Sequence, residues 1–327
     1  MLSRVAESVY WMNRYLERAE NVARFVDVNH NLTLDLGRGM REQWEPLVYT
    51  TGDQELFQEH YGHASQRNVI NFLTFDLKNP NSVLSCLRAA RENARTVRDI
   101  IGSAVWEEIN KFYLYVKNTS HDARLLEEPH DFFNQVKRSS HLILGLTEAT
   151  ISRDEGWYFA QIGRLLERAD KTSRILDVKY YILLPAPTDV GTPLDSIQWA
   201  ALLKSAGALE MYRKSRGRIT PRDVVDFLLL DGEFPRAIRY CLAQAEISLR
   251  AILGTAHSMF RNEAERRIGQ LRAELDYAKI EDIFNRGLHE YLDAFQTRVN
   301  SIGEALSDSF FEMHAVGVNG KFLGQNL

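Results

Sequence analysis

The sequence predicts an all-α protein built from two tandem helical-bundle repeats of about 150 residues. Three observations carry that prediction. The stretch RYLERAENVARFVDV, Arg14 to Val28, returns as RLLERADKTSRILDV, Arg164 to Val178, with eight of fifteen positions identical; unrelated sequences would share about one. At a spacing of 155, Trp44, Leu47, Gly52, Gly62, Phe72, Asp76, Pro80 and Cys86 pair with Trp199, Leu202, Gly207, Gly217, Phe227, Asp231, Pro235 and Cys241. No segment sustains the period-two alternation of a strand, whereas apolar residues recur at steps of three and four.

In chain order, Val5, Val9, Met12, Leu16, Ala19, Ala23 and Val26 form the stripe of an amphipathic first helix, about Ser3–His30. NSVLSCLRAARENARTVRDIIGS, after Pro80, reads as one long helix. PHDFF at Pro129 resembles LHEYL at Leu288, which pairs His130 with His289. The second copy opens with a helix over about Ser152–Leu183, for which Ser152 and Glu155 offer a capping box. LPAPTDVGTP is the loop that follows it, and Thr220-Pro221 with Asp223 places a cap, a first-turn proline and an acid in order. PRAIRYCLAQAEISLRAILG, opening on Pro235, is the counterpart of the long pattern in copy one. LSR at Leu2, ISR at Ile151 and LSD at Leu306 mark three seams. The expected organisation is therefore repeat one over 1–150, repeat two over 151–314 with the start of a third first helix, and a mobile tail over 315–327. The two first helices are expected to be the longest elements and to pack near a pseudo-twofold axis.

Composition narrows the function classes. Hydrophobic residues at 45% and charged residues at 26% describe a globular chain. A net charge of −4 offers no basic footprint for nucleic acid or for an anionic membrane. No apolar run approaches the length of a membrane span, and helix pattern starts too early for a signal peptide. With only Cys86 and Cys241 there is no disulfide framework, so the expected compartment is a reducing cytoplasm.

The repeated charges are the candidate functional residues. On the first helix Arg14, Glu17, Arg24 and Asp27 fall close to one stripe, and Arg18 lies one step round it. Their counterparts are Arg164, Glu167, Arg174, Asp177 and Arg168. Trp11 and Phe25 stand seven residues either side of Arg18, Gln161 and Ile175 either side of Arg168, and Phe25 and Ile175 suggest that this side of the helix is also covered. Charges on covered faces must be paired, because an isolated buried charge costs several kcal/mol. One reading makes them internal ion pairs that hold the bundle in register. The other makes them a ligand or catalytic site, with arginines gripping carboxylate or phosphate and the glutamate as base. Ion-pair networks are common in helical bundles, which favours the first. An accessible cleft lined by Glu17, Arg18, Glu167 and Arg168 would favour the second.

A tandem all-helical chain carrying LERAE and LLERAD resembles the Alpha-E family, named for its helices and its Glu-Arg motif. The resemblance spans nearly the whole chain. By position the motif residues are Glu17 with Arg18 and Glu167 with Arg168. The resemblance implies a role in a bacterial peptide synthesis or modification system, alongside circularly permuted ATP-grasp ligases of the carboxylate–amine type and transglutaminase-like proteins. It implies a pathway rather than a reaction, and leaves accessory subunit, enzyme and purely structural protein as alternatives.

Other candidates carry less. Cys86 and Cys241 sit in helical patterns without a neighbouring histidine and read as packed small hydrophobes. His60 and His63 have metal-compatible spacing, but copy two has Ser215 and Arg218 there. His130 and His289 each open a helical pattern beside an acid, where capping or a surface contact is expected. GVNGK in the tail lacks the strand and the Ser or Thr of a phosphate loop, so no nucleotide or other cofactor is expected. Trp11, Trp44, Trp157 and Trp199 read as packing residues.

Overall fold

The two helices that the sequence repeats are the longest among the described residues: α1 (Ser3–Asp35, 33 residues) and α8 (Glu155–Tyr181, 27 residues). The computed structural model describes residues 1–35, 44–120, 122, 125, 128–181, 192–256 and 259–312. After α1 come α2 (Glu45–Thr51), α3 (Gln54–Tyr61), α4 (Gln66–Thr74), α5 (Val83–Thr96), α6 (Arg98–Thr119) and α7 (His130–Thr150). After α8 come α9 (Pro193–Ser205), α10 (Leu209–Arg216), α11 (Pro221–Leu230), α12 (Ile238–Leu253), α13 (Glu263–Tyr277), α14 (Ile280–Arg286) and α15 (Leu288–Leu306). A π-helical turn, Ser307–Phe311, ends the described chain, and no strand occurs among the described residues. The protein is all-α. Among the described residues, the helices after α8 come in an order like that of the helices after α1, with α14 additional.

Local chemistry explains most boundaries, and three differ from expectation. α1 continues past His30 because nothing breaks it, and Asn31 Nδ2 donates back to the Asp27 carbonyl at 2.9 Å. The expected capping box of Ser152 with Glu155 does not form. Asp154 caps instead, its Oδ1 accepting from the Trp157 amide at 3.2 Å, so α8 begins at Glu155. The pattern after Pro80 is not one helix. Val97, 1% exposed, leaves helical geometry at φ −127°, ψ 29°, which turns α6 back against α5. Gly102, at φ 76° and ψ 161°, breaks α6 again inside its first turns. The Thr220 cap forms as expected, with Oγ1 accepting from the Asp223 amide at 3.1 Å. Leu306, at the third seam, is the last residue of α15. The expected end of the second long helix at Leu183, most of the LPAPTDVGTP loop and the 315–327 tail lie outside the described residues.

α1 and α8 pack face to face at the centre of the molecule, with α5 on α1, α12 on α8, and α7 and α15 on the outer sides of α1 and α8. The short helices cross over: α2 packs on α8, and α9 on α1. On α1, Val9, Met12, Leu16, Ala19, Ala23 and Val26 are all buried, and so are Val22 and Phe25 off that stripe. The helix is covered on more than one side, as Phe25 suggested. Gly163 sets how closely α1 and α8 approach. A Cβ there would stand 2.3 Å from the Tyr10 carbonyl oxygen, so only glycine fits without moving a backbone.

Candidate functional site

The repeated charges meet at the α1–α8 interface and pair across it. Arg18 on α1 grips Glu167 on α8 with both prongs of its guanidinium: Nε to Oε1 at 2.6 Å and Nη2 to Oε2 at 2.9 Å. Arg168 on α8 grips Glu17 on α1 in the same way, Nε to Oε1 at 2.7 Å and Nη2 to Oε2 at 2.8 Å. Each Glu-Arg motif thus exchanges partners with the other motif. Adjacent residues on a helix point about 100° apart, so Glu17 and Arg18 cannot face each other. The contacts run in the same order along both helices, Tyr10 against Gly163 and then Glu17 against Arg168, so each motif can supply what the other lacks. Planar guanidinium forks against carboxylates are the strongest pairing of this kind.

Neighbouring groups complete the shell. Arg14 Nε adds a third bond to Glu167 Oε2 at 2.8 Å, while its guanidinium lies over the Trp11 ring. Asn21 Nδ2 donates to Glu17 Oε1 at 3.0 Å, and Arg236 Nη1 reaches the same oxygen at 3.3 Å. Arg18 Nη1 donates to Asn81 Oδ1 at 2.6 Å, and Arg168 Nη1 to the Pro235 carbonyl at 3.3 Å. Arg164, the counterpart of Arg14, does not touch Glu17; it bonds Gln161 and lies 3.6 Å from Glu148.

The electrostatics follow from this shell. Burial alone would raise the Glu17 carboxyl, but Arg168 and then Arg236 outweigh it and hold it well below the usual carboxylate range. Glu167, whose side chain is 0% exposed, is held down in the same way by Arg18, Arg14 and Lys171 against its own burial. Burial would lower Arg18 and Arg168, and the facing glutamates raise both instead. Both carboxylates are held ionised, with their oxygens accepting from guanidinium donors. Glu17 and Arg168 line a half-open pocket with Glu20, Arg164 and Arg236, and neither Arg18 nor Glu167 lines it.

Further along each helix, Asp27 and Asp177 repeat a second contact. His130 Nδ1 lies 2.7 Å from Asp27 Oδ1, and His289 Nδ1 lies 2.7 Å from Asp177 Oδ1. The two histidines that open α7 and α15 therefore anchor those helices to α1 and α8, beyond the capping or surface contact expected of them. Lys137 adds a 2.6 Å bond to Asp27, and its place on α15 is taken by Gln296, whose Nε2 is buried without a hydrogen-bond partner. Arg24 and Arg174 lie between these contacts and the Glu-Arg exchange. Each runs under a glycine of the other half: a Cβ on Gly207 would meet Arg24 Nη1 at 3.2 Å, and one on Gly52 would meet Arg174 Nη1 at 3.3 Å. Both glycines also hold positive φ, 61° and 78°, which suits no other residue well.

Sequence reasoning passed over Glu20, Asn21, Asp170, Lys171 and Arg236. Glu20 and Asp170 are buried acids at the same 150-residue spacing, a signal that was present. Arg236 stands where copy one has Asn81, and no pattern could have marked it. Cys86 and Cys241 are packed cysteines, each facing a proline carbonyl, and burial pushes both thiols up to about 12. Among the described residues, His60 and His63 join no cluster of three or more metal-ligating side chains. Trp44 and Trp199 are buried, as packing residues should be. No helix of the described residues is long and apolar enough to cross a membrane.

A family model described as a predicted alpha-helical domain with a conserved ER motif matches residues 1–311. The Glu-Arg exchange is the geometry that such a motif forms here. An uncharacterised protein of Mycobacterium bovis and one of Mycobacterium tuberculosis are each 21% identical over 299 residues. The match takes in 86% of this chain and 33% of each relative, so the chain spans about a third of their length. No solved structure matches the chain significantly.

Proposed function

The chain belongs to the Alpha-E family, and on that premise we propose that it is a cytoplasmic accessory protein of a bacterial peptide synthesis or modification system. Its partners in this reading are a circularly permuted ATP-grasp ligase of the carboxylate–amine type and transglutaminase-like proteins. The pathway rests on the family resemblance. The accessory role rests on one observation: the Glu-Arg motifs are consumed in holding two halves together, with Glu17 and Glu167 saturated by guanidinium donors. Such carboxylates neither take a proton at neutral pH nor hold a magnesium ion in competition with the arginines. The same exchange fits a chain built of two duplicated repeats, about 1–150 and 151–314, which serve as one rigid scaffold. That similar sequence fills a third of longer relatives fits a module that works beside other parts.

The test is ATP turnover and amide formation by the purified chain, with and without the co-encoded ligase. The expected outcome is no turnover alone, and retention of the ligase on immobilised chain. Robust turnover by the isolated chain, abolished by Glu17→Gln or Glu167→Gln with the fold intact, would overturn this reading and make the protein an enzyme.

A further inference from the structure

The two halves treat their equivalent aspartates differently. Asp27 meets three groups: His130 Nδ1 at 2.7 Å, Lys137 Nζ at 2.6 Å and Asn31 Nδ2 at 3.3 Å. Asp177 meets His289 Nδ1 at 2.7 Å through Oδ1, and no described group forms a hydrogen bond or ion pair with its Oδ2. The difference is written in the helices that carry the histidines. Counted from its histidine, α15 has Gln296 where α7 has Lys137, and Asp293 where α7 has Asn134. An ammonium is missing there and a carboxylate is added. Burial holds the Asp177 carboxyl above its ordinary range, although His289 draws it down.

A pocket of about 530 Å³, counting the part open to solvent, lies against these residues, with Gln54, Arg174, Asp177, His289, Asp293 and Gln296 in its walls. Arg174 uses Nε on Asp170, at 3.1 and 3.0 Å to the two oxygens, and no described group engages its Nη1 or Nη2. Arg174 and Asp177 are one turn apart on α8 and form no ion pair with each other. Gln296 Nε2 is buried with no hydrogen-bond partner. Asp293 is exposed, and only its backbone carbonyl is engaged, by Thr297, among the described residues. The pocket therefore holds unengaged donors, on Arg174 and Gln296, beside unengaged carboxylate oxygens, on Asp177 and Asp293. A buried donor left unsatisfied costs about 1–3 kcal/mol, so an occupant that supplies an acceptor is favoured there.

We propose that this pocket binds a small zwitterion of the amino-acid kind, its ammonium on Asp177 and Asp293 and its carboxylate on Arg174 and Gln296. The ammonium takes the part that Lys137 plays in the other half. A simple cation would leave Arg174 and Gln296 unserved, and a simple anion would face two carboxylates. Residues three apart on a helix stand about 5–6 Å apart at Cβ, so one small molecule can touch both Arg174 and Asp177. A guanidinium edge and a carboxylate make charge-assisted bonds to such a ligand, stronger than neutral ones. The site rests on this geometry and not on the pathway proposed above.

Equilibrium dialysis of the full chain at neutral pH tests this, with each common L-amino acid, radiolabelled, as a separate probe. The expected result is saturable one-to-one binding of at least one of them. Its amide, which lacks the carboxylate, and its deaminated acid, which lacks the ammonium, should each bind about tenfold more weakly or worse. Gln296→Lys installs the lysine of the other half and should weaken binding about tenfold or more, because its own ammonium fills the place. Asn118→Lys makes the same charge change at an exposed residue of α6 and should leave binding unchanged. Absence of saturable binding by every amino acid overturns the proposal, and so does an amide or deaminated acid that binds as tightly as its parent. Unchanged binding in Gln296→Lys, or an equal loss in Asn118→Lys, overturns it too. If Gln296→Lys does not fold by circular dichroism, Asp293→Asn decides: a severalfold loss supports the site and undiminished binding overturns it.

Discussion

Arg18 and Arg168 each hold a glutamate that water scarcely reaches, and this decides what their removal does. Cutting back either arginine takes a two-pronged partner from a buried carboxylate and leaves it only partly compensated, by Arg14 and Lys171 at Glu167 and by Arg236 at Glu17, a cost of up to about 3–5 kcal/mol. Arg18→Ala and Arg168→Ala are each expected to lose about that much in urea unfolding, and an effect below about 1 kcal/mol in both would refute the structural role. The histidines give a second check. The hydrogen bond that His289 donates to Asp177 raises its pKa, whereas burial and then Arg24 and Arg236 lower His141. In a histidine-ring NMR titration His289 should therefore lose its proton above the ordinary value near 6.5, and His141 below it. Linkage gives the two opposite signs. The raised His289 contributes stability below about pH 6.5 that is lost as pH climbs through its folded value; the lowered His141 costs stability on the acid side. At this scale the sequence was half legible. It marked Glu17, Arg18, Asp27 and their counterparts as charges needing partners. It could not say which partner, because helical spacing orders residues around one axis and says nothing of a helix 150 residues away.

The long helices were readable because steps of three and four persist over many turns, and because their charged motif repeats. Their ends were less so, since a capping residue competes with its neighbours: Asp154 displaced Ser152. The pattern after Pro80 misled because helical spacing survives a tight reversal at Val97 and the break at Gly102, provided the residues on both sides stay buried. Glycines sharpen the contrast between positions that look alike in sequence. At Gly163 an added methyl would strike the Tyr10 carbonyl, and α1 cannot retreat without loosening the Glu-Arg exchange. Gly163→Ala is expected to destabilise by about 1–3 kcal/mol or more. Gly145, exposed on α7 with nothing within 4 Å of its would-be Cβ, should behave oppositely. Gly145→Ala is expected to gain about 0.5–1 kcal/mol, and paired thermal melts of the two variants check both.

Across the whole molecule, the exchange makes one half's ion pairs depend on the other half's helix. The two halves should therefore unfold together, in one transition seen equally by fluorescence and circular dichroism. Glu17 and Glu167 are held below their ordinary value of 4.5, so the folded state binds fewer protons there than the unfolded chain. The stability they contribute is present above about pH 4.5 and drains as pH falls below it, which predicts steep acid unfolding. Glu167→Gln should flatten that acid limb. Separate transitions for the two halves, or an acid limb unchanged in Glu167→Gln, would contradict this account. The all-α class was legible from periodicity alone. That the motifs cross between halves was not, since a pattern repeated in two places looks the same whether each copy pairs with itself or with its twin.

The crossing has a consequence for how such chains can change over time. A substitution at Glu17 is felt first by Arg168, and one at Arg18 by Glu167, although the neighbours in sequence are 17 and 18. Across an alignment of related chains, positions 17 and 168 should vary as a pair, and so should 18 and 167, with weak coupling between 17 and 18. Recombination that replaces one half by that of a distant relative should fail unless both glutamates and both arginines travel together or match already. Each half is in effect the other's inheritance constraint.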